Sequence, residues 1–168
     1  VGRRLMYLVD SSVLIEAKNR YYAFDFAPGY WEWLERAHVA GQICSIEAVK
    51  QELVDGQDEL AGWATNHPDF FLPIDQATTQ HFGPLTAWAA SRQFRPAALA
   101  KFTGNDADYL LVAFARAHGH VVVTHEQPDP AAKKNVKIPD ACAAMGVDFT
   151  NAFDVLRRTG AMLVLRDT

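Results

Sequence analysis

The sequence predicts a three-layer α/β/α sandwich with a mainly parallel central sheet, and three observations carry that reading. Leu5-Met6-Tyr7-Leu8-Val9 and Val121-Val122-Val123 are unbroken apolar runs, the mark of strands covered on both faces. These runs alternate with segments whose apolar residues recur every three or four positions, as strand–helix–strand units do. The 168 residues, 49% hydrophobic and 21% charged, suffice for one core without staples. Residues 1–168 are therefore read as a single domain, with no repeat, linker or low-complexity tract.

Each element has a local signal. The first strand ends at Asp10, and Ser11 or Ser12 can cap a helix over Val13 to Lys18. Residues 19–29 are irregular and rich in aromatics, so they read as an ordered loop. Tyr30 to Ala37 is helical and stops at Gly41. Ile43-Cys44-Ser45 is a short strand, and Ser45 can cap the helix carrying Ile46, Val49 and Leu53, which Gly56 ends. A short helix starts at Asp58, and Phe70-Phe71-Leu72 is a strand closed by Pro73. Gln76 to Arg92 is helical with a break near Pro84. Pro96 to Phe102 is a short helix. Asn105 or Asp106 caps the most apolar helix, Ala107 to His118, and Gly119 ends it. After the strand Val121 to Thr124, His125 to Lys137 is a loop. A helix from Ile138, a helix over Asn151 to Arg158 and a last strand, Met162 to Leu165, complete the chain.

Charge and cysteine usage exclude several classes. Sixteen Lys and Arg against 20 Asp and Glu leave a net charge of −4, unlike a module that grips phosphates with basic residues alone. An acidic chain can still meet phosphates through a bound cation. Cys44 and Cys142 are far apart and form no zinc-ribbon pattern. No apolar run reaches the roughly 20 residues of a membrane helix, and the first residues do not form a secretion signal. The expected location is the cytoplasm, with no membrane partner.

Four places offer acids that could meet. Asp10 follows the first strand, at the end where open α/β sheets place ligands. It could instead cap the next helix, but Ser11 and Ser12 are available for that. Glu52, three residues from Val49, borders an apolar helix face, although it could simply be solvated. Asp106 and Asp108 head the apolar helix, where the dipole favours acids. They point nearly opposite ways, and spacing leaves both open. Glu126 follows the second buried strand and is otherwise an ordinary loop acid. Such carboxylates in one pocket repel and raise one another's pKa unless a cation neutralises them, and all-oxygen ligands suit Mg²⁺ or Mn²⁺.

In order along the chain, the segments Tyr7–Ile15, Val49–Gly56, Asp106–Ala115 and Val122–Glu126 resemble the PIN-domain nucleases, which include the VapC-type toxins of bacterial toxin–antitoxin pairs. The resemblance spans residues 5 to about 150. The aromatic stretch from Tyr22 to Trp33 and the segment Lys137 to Cys142 look like a less characterised PIN-like subgroup. The resemblance implies that Asp10, Glu52 and Asp108 bind the metal. Glu126 stands where the family usually has Asp, with Asp106 and Asp140 as substitutes for the last ligand. Ser11, Ser12 and Thr124 would support the site. It further implies a Mg²⁺- or Mn²⁺-dependent endoribonuclease leaving a 5′-phosphate and a 3′-hydroxyl. The setting implied is the toxin of a type II pair, with a cognate antitoxin and a homodimeric assembly. The alternative is a weak or inactive PIN scaffold that binds RNA or a protein.

Other features are assigned more plainly. The six histidines lack zinc-helix spacing, and no phosphate loop or serine-nucleophile elbow occurs. A phospho-acceptor receiver domain also places an acid after its first strand, but the further acid and late lysine it needs are not both present. The cluster of Tyr21, Tyr22, Phe24, Phe26, Tyr30, Trp31 and Trp33 either fills the core or a dimer face, or stacks RNA bases. Lys133, Lys134 and Lys137 follow Glu126 and are candidates to hold an RNA backbone.

Overall fold

A computed structural model describes residues 4–167, so residues 1–3 and 168 of the predicted domain lie outside it. The chain runs β1 (Tyr7–Val9), α1 (Ser11–Glu16), α2 (Pro28–Val39), β2 (Ile43–Ile46), α3 (Glu47–Asp55), α4 (Glu59–Asn66) and β3 (Phe71–Leu72). It continues through α5 (Gln76–Thr79), α6 (Phe82–Ser91), α7 (Pro96–Thr103), α8 (Ala107–His118), β4 (Val121–Val123), α9 (Ile138–Met145), β5 (Phe149–Thr150) and α10 (Ala152–Arg158). The five strands form one sheet in the order β3-β2-β1-β4-β5, and every pairing is parallel. The sheet is flanked by helices, as the apolar runs predict. Among the described residues no helix is long and apolar enough to cross a membrane.

The strand order positions the site. From β1 the chain moves outward through β2 to β3, then returns past β1 to β4 and on to β5. Succession therefore reverses between β1 and β4, and the crevice at the carboxyl ends of such a strand pair is where doubly wound sheets bind ligands. Their register pairs Tyr7 with Val121, Leu8 with Val122 and Val9 with Val123. The next residues, Asp10 and Thr124, are thereby delivered side by side. The core beneath is apolar: Leu8, Leu14, Leu34, Leu111, Val112 and Val122 are fully buried.

Several local expectations change. Ser11 and Ser12 do not cap α1; they lie within its first turn, and the cap position is Asp10. Ser45 is not a cap either: it is the third residue of β2, and its buried hydroxyl donates to the Val9 carbonyl at 2.6 Å. The segment after α1 is not a loop from Asn19 onward, because a π-helical turn runs Ala17–Tyr21 and α2 already starts at Pro28. The predicted last strand does not form. Residues 161–167 carry no strand pairing, and Met162, Val164 and Leu165 are 82%, 75% and 97% exposed. This tail lies along α2, with Leu163 3.7 Å from where a Cβ on Gly29 would sit and Arg166 paired to Glu32. β5 is instead Phe149–Thr150, whose neighbour Asp148 accepts from Val122 through its carbonyl.

The aromatic stretch fills the core rather than presenting rings to RNA. Tyr22 stacks on Tyr30 with centroids 4.4 Å apart, Phe24 on Trp31 at 4.1 Å, and Trp31 meets Trp63 edge-on at 5.3 Å. Tyr30 and Trp31 are buried, which leaves Tyr21 and Phe26 exposed.

Candidate metal centre

Asp10 is 3% exposed, and three hydroxyls surround its carboxylate. Ser12 donates to Oδ2 at 2.6 Å, Thr124 donates to Oδ2 at 3.0 Å, and Ser11 approaches Oδ1 at 3.4 Å. The serines predicted as caps therefore hold Asp10 instead. Its backbone N–H donates to Val123 O at 2.9 Å, extending the ladder by one bond. A buried carboxylate held this way loses its hydration and gains fixed donors. Thr124→Val keeps the shape but removes one donor to a buried charge. It is expected to lower the unfolding free energy by about 1.5–3 kcal/mol, read from urea denaturation.

The other acids lie near enough for their charges to act on one another. Asp106 caps α8, its Oδ1 accepting from the Asp108 N–H at 3.2 Å, and because the cap lies outside the helix both acids line the same cleft rather than pointing opposite ways. Burial first, and then the charges of Asp10, Asp106, Glu126 and Glu52, push the Asp108 carboxyl up to about 8. Glu126 is also raised, first by burial and then by Asp10, against the opposing hydrogen bond from the Ile138 N–H at 2.7 Å. That bond ties Glu126 to the first residue of α9, and the Glu126 N–H donates to Thr124 Oγ1 at 3.1 Å. Glu52 is raised by burial, Asp106 and Asp10, and lowered by a hydrogen bond from Ser11. The residue as a whole is exposed, so its desolvation is partial and solvent screens those charges. Asp10, Glu52, Asp106, Asp108 and Glu126 thus act on one another.

Not every candidate joins them. Asp140 accepts from the Asp129 N–H at 3.0 Å, fastening the loop after β4, and does not line the cleft with Asp106, Asp108 and Glu126. Lys133 donates to the Arg92 carbonyl at 2.8 Å, and only Lys134 and Lys137 of the three loop lysines line the cleft with Asp106, Asp108 and Glu126. His125 pairs with Glu16 at 3.0 Å and packs against Tyr21 and Phe153.

Two residues near the acids escaped the sequence reading. Lys101, near the end of α7, sits 3.4 Å from Asp106 and is raised first by that acid's charge. Nothing in its spacing marks it, because an irregular turn separates it from Asp106. Cys142 on α9 is fully buried, and burial followed by the charges of Glu126 and Asp10 lifts its thiol to about 12. A thiol raised that far is inert.

Among the described residues, no three Asp, Glu, His or Cys side chains are gathered closely enough to hold a metal ion as they stand. The donor set nevertheless fits one in kind. It is all oxygen, as Mg²⁺ and Mn²⁺ prefer. Burial first, and then the charges of its acid neighbours, leave Asp108 protonated near neutrality.

Comparison with known proteins agrees on the fold. Residues 7–163 match the family described as “Domain of unknown function (DUF4411)”. No curated protein matches the sequence. Among solved structures, a chain of VapBC2 from Rickettsia felis, crystallised bound to a DNA fragment from their promoter, superposes with a TM-score of 0.55 at 14% identity. The match covers 88% of this chain and 98% of that one. At that identity the likeness establishes the PIN-like fold and nothing finer.

Proposed function

The chain belongs to the DUF4411 family, whose description names no reaction, and we propose from the site itself that it is a divalent-cation-dependent endoribonuclease, the toxin of a type II toxin–antitoxin pair. The observation that carries the reading is that Asp10 after β1, Glu52 on α3, Asp106 before α8 and Glu126 beyond β4 all lie near enough for their charges to act on Asp108, around the crevice where strand order reverses between β1 and β4. The likeness to a VapBC2 chain supports the toxin setting. Residues 1–168 act as one domain in this reading, in the cytoplasm, with a cognate antitoxin and a second copy as partners.

Asp10, Glu52 and Asp108 hold Mg²⁺ or Mn²⁺, and Glu126 or Asp106 completes the set directly or through water. The ion, when bound, supplies an activated water and offsets the charge that develops on the phosphate. The remaining roles belong to the chain. Ser12 and Thr124 fix the Asp10 carboxylate, with Ser11 shared between Asp10 and Glu52. Asp108 gives up its proton so that all the carboxylates can serve as ligands. Lys134 and Lys137 flank the acids and hold the RNA backbone. Products carry a 5′-phosphate and a 3′-hydroxyl.

The test is incubation of the purified chain with mixed RNA in Mg²⁺ or Mn²⁺ and in EDTA, followed by end-group analysis. Cation-dependent cleavage leaving 5′-phosphates is expected. Cleavage that persists in EDTA would remove the cation from the account. No cleavage with either ion would favour a second reading, a PIN scaffold that binds RNA or a protein without cutting. The separation of the acids and the tie between Glu126 and the Ile138 amide favour that second reading.

A further inference from the structure

Helix α9 starts without a cap of its own. Its cap position is Lys137, which makes no side-chain cap bond, and Pro139 has no N–H to offer. The Ala141 N–H donates to the Lys137 carbonyl at 3.1 Å. The Ile138 N–H donates to Glu126 Oε2 at 2.7 Å, twelve residues back. Ile138 is buried, so water does not reach that amide in place of the carboxylate. The Glu126 N–H donates in turn to Thr124 Oγ1, so the residue is fixed at its backbone and at its carboxylate. Asp106 is held differently. Its Oδ1 caps α8, and its Oδ2 faces the Lys101 ammonium at 3.4 Å, on a side chain that is 77% exposed. An exposed ammonium can swing into water; a buried main-chain amide cannot. Asp106 also lines both the cleft that holds Asp108 and the depression that holds Glu52, and of these two Glu126 lines only the first.

We propose that Glu126 is the cap of α9, supplied from across the loop, and that Asp106 is the fourth direct ligand of the divalent cation beside Asp10, Glu52 and Asp108. This rests on the endoribonuclease reading and decides between the two acids that reading leaves open. In its fixed position Glu126 closes the loop from β4 to α9, and the Asp129 N–H donating to Asp140 closes it a second time. The carboxylate lies at the amino end of α9, where the helix dipole favours negative charge. Moving it onto the cation would strip a buried N–H of its acceptor, so Glu126 reaches the cation at most through water. Asp106 gives up only an exposed ammonium and keeps its own cap through Oδ1.

The experiment is calorimetric titration of Mn²⁺ into the EDTA-stripped full chain and its variants, with amide hydrogen exchange at Ile138 read beside it. Asp106→Asn keeps a good cap residue for α8 and is expected to weaken Mn²⁺ binding by at least about tenfold. Glu126→Gln keeps an acceptor for the Ile138 N–H and loses only a charge. It is expected to weaken Mn²⁺ binding by less than about fivefold, the reach of one nearby charge. Glu126→Ala is expected to speed exchange at Ile138 by about fivefold or more, the size of a lost cap, and Asp106→Asn to leave it unchanged. Three results would each overturn this inference alone: Glu126→Gln weakening Mn²⁺ binding as much as Asp106→Asn, Asp106→Asn leaving it unchanged, or Glu126→Ala leaving exchange at Ile138 unaltered. If the unsubstituted chain binds no Mn²⁺, or Asp10→Asn binds it equally well, the endoribonuclease reading falls and takes the assignment of Asp106 with it.

Discussion

Asp10→Asn is expected to reduce cation-dependent RNA cleavage by at least about 100-fold while leaving the fold intact. The size follows from the carboxylate's place. Substituting even the outer partners of metal ligands costs 10- to 100-fold, and Asp10 is proposed as a ligand itself. The intact fold follows from its hydrogen bonds. Ser12 and Thr124 both donate to Oδ2, and an asparagine with its carbonyl oxygen in that position keeps both. Its amide group then faces the Ser11 hydroxyl, which can accept as well as donate. Thermal unfolding within a few degrees of the wild type, together with lost cleavage, is the expected pair of results. Undiminished cleavage would remove Asp10 from the site.

Asp108→Asn should have opposite effects on stability and activity. The Asp108 carboxyl is raised from 3.8 to about 8, by burial first and then by four acid neighbours. The folded chain therefore binds more protons than the unfolded one between those values, and its stability falls as pH rises through that window. The contribution of the protonated group is complete below about pH 4 and lost by about pH 8. Asparagine does not titrate and escapes that loss. In EDTA at pH 8 the variant should be more stable than the wild type by on the order of 2 kcal/mol, a figure discounted for coupling among the acids. At pH 4 the difference should vanish. Urea denaturation at the two pH values reads it, and cleavage should be lost throughout. A residue that destabilises its own fold at neutral pH fits a functional site better than a structural one.

The elements that place Asp10 and Thr124 are legible in the chain because a parallel strand buried on both faces leaves a continuous apolar run, and its end marks the sheet's carboxyl edge. The reversal of strand order between β1 and β4 is not legible, since it depends on which edge each returning strand joins. The serines after Asp10 carry two readings, cap by position and support by resemblance, for a related reason. Cap and ligand-holder are the same residue type in the same place, and only the register of β1 with β4, which brings Thr124 alongside, decides between them. Glu52 and Asp108 could be paired with Asp10 through the family resemblance, not through spacing. Lys101 lay beyond both, because its ion pair with Asp106 arises from α7 packing against α8. The segment Met162 to Leu165 has strand composition but no partner backbone, and composition cannot supply one.

The central claim is that these acids form one divalent-cation site, and calorimetric titration of Mn²⁺ into EDTA-stripped protein near pH 7.5 tests it most directly. Run in two buffers of different ionisation enthalpy, it should show saturable binding with net proton release, because Asp108 is still protonated at that pH. Binding should be lost in Asp10→Asn. Absence of saturable binding, or binding that Asp10→Asn leaves unchanged, would contradict the claim.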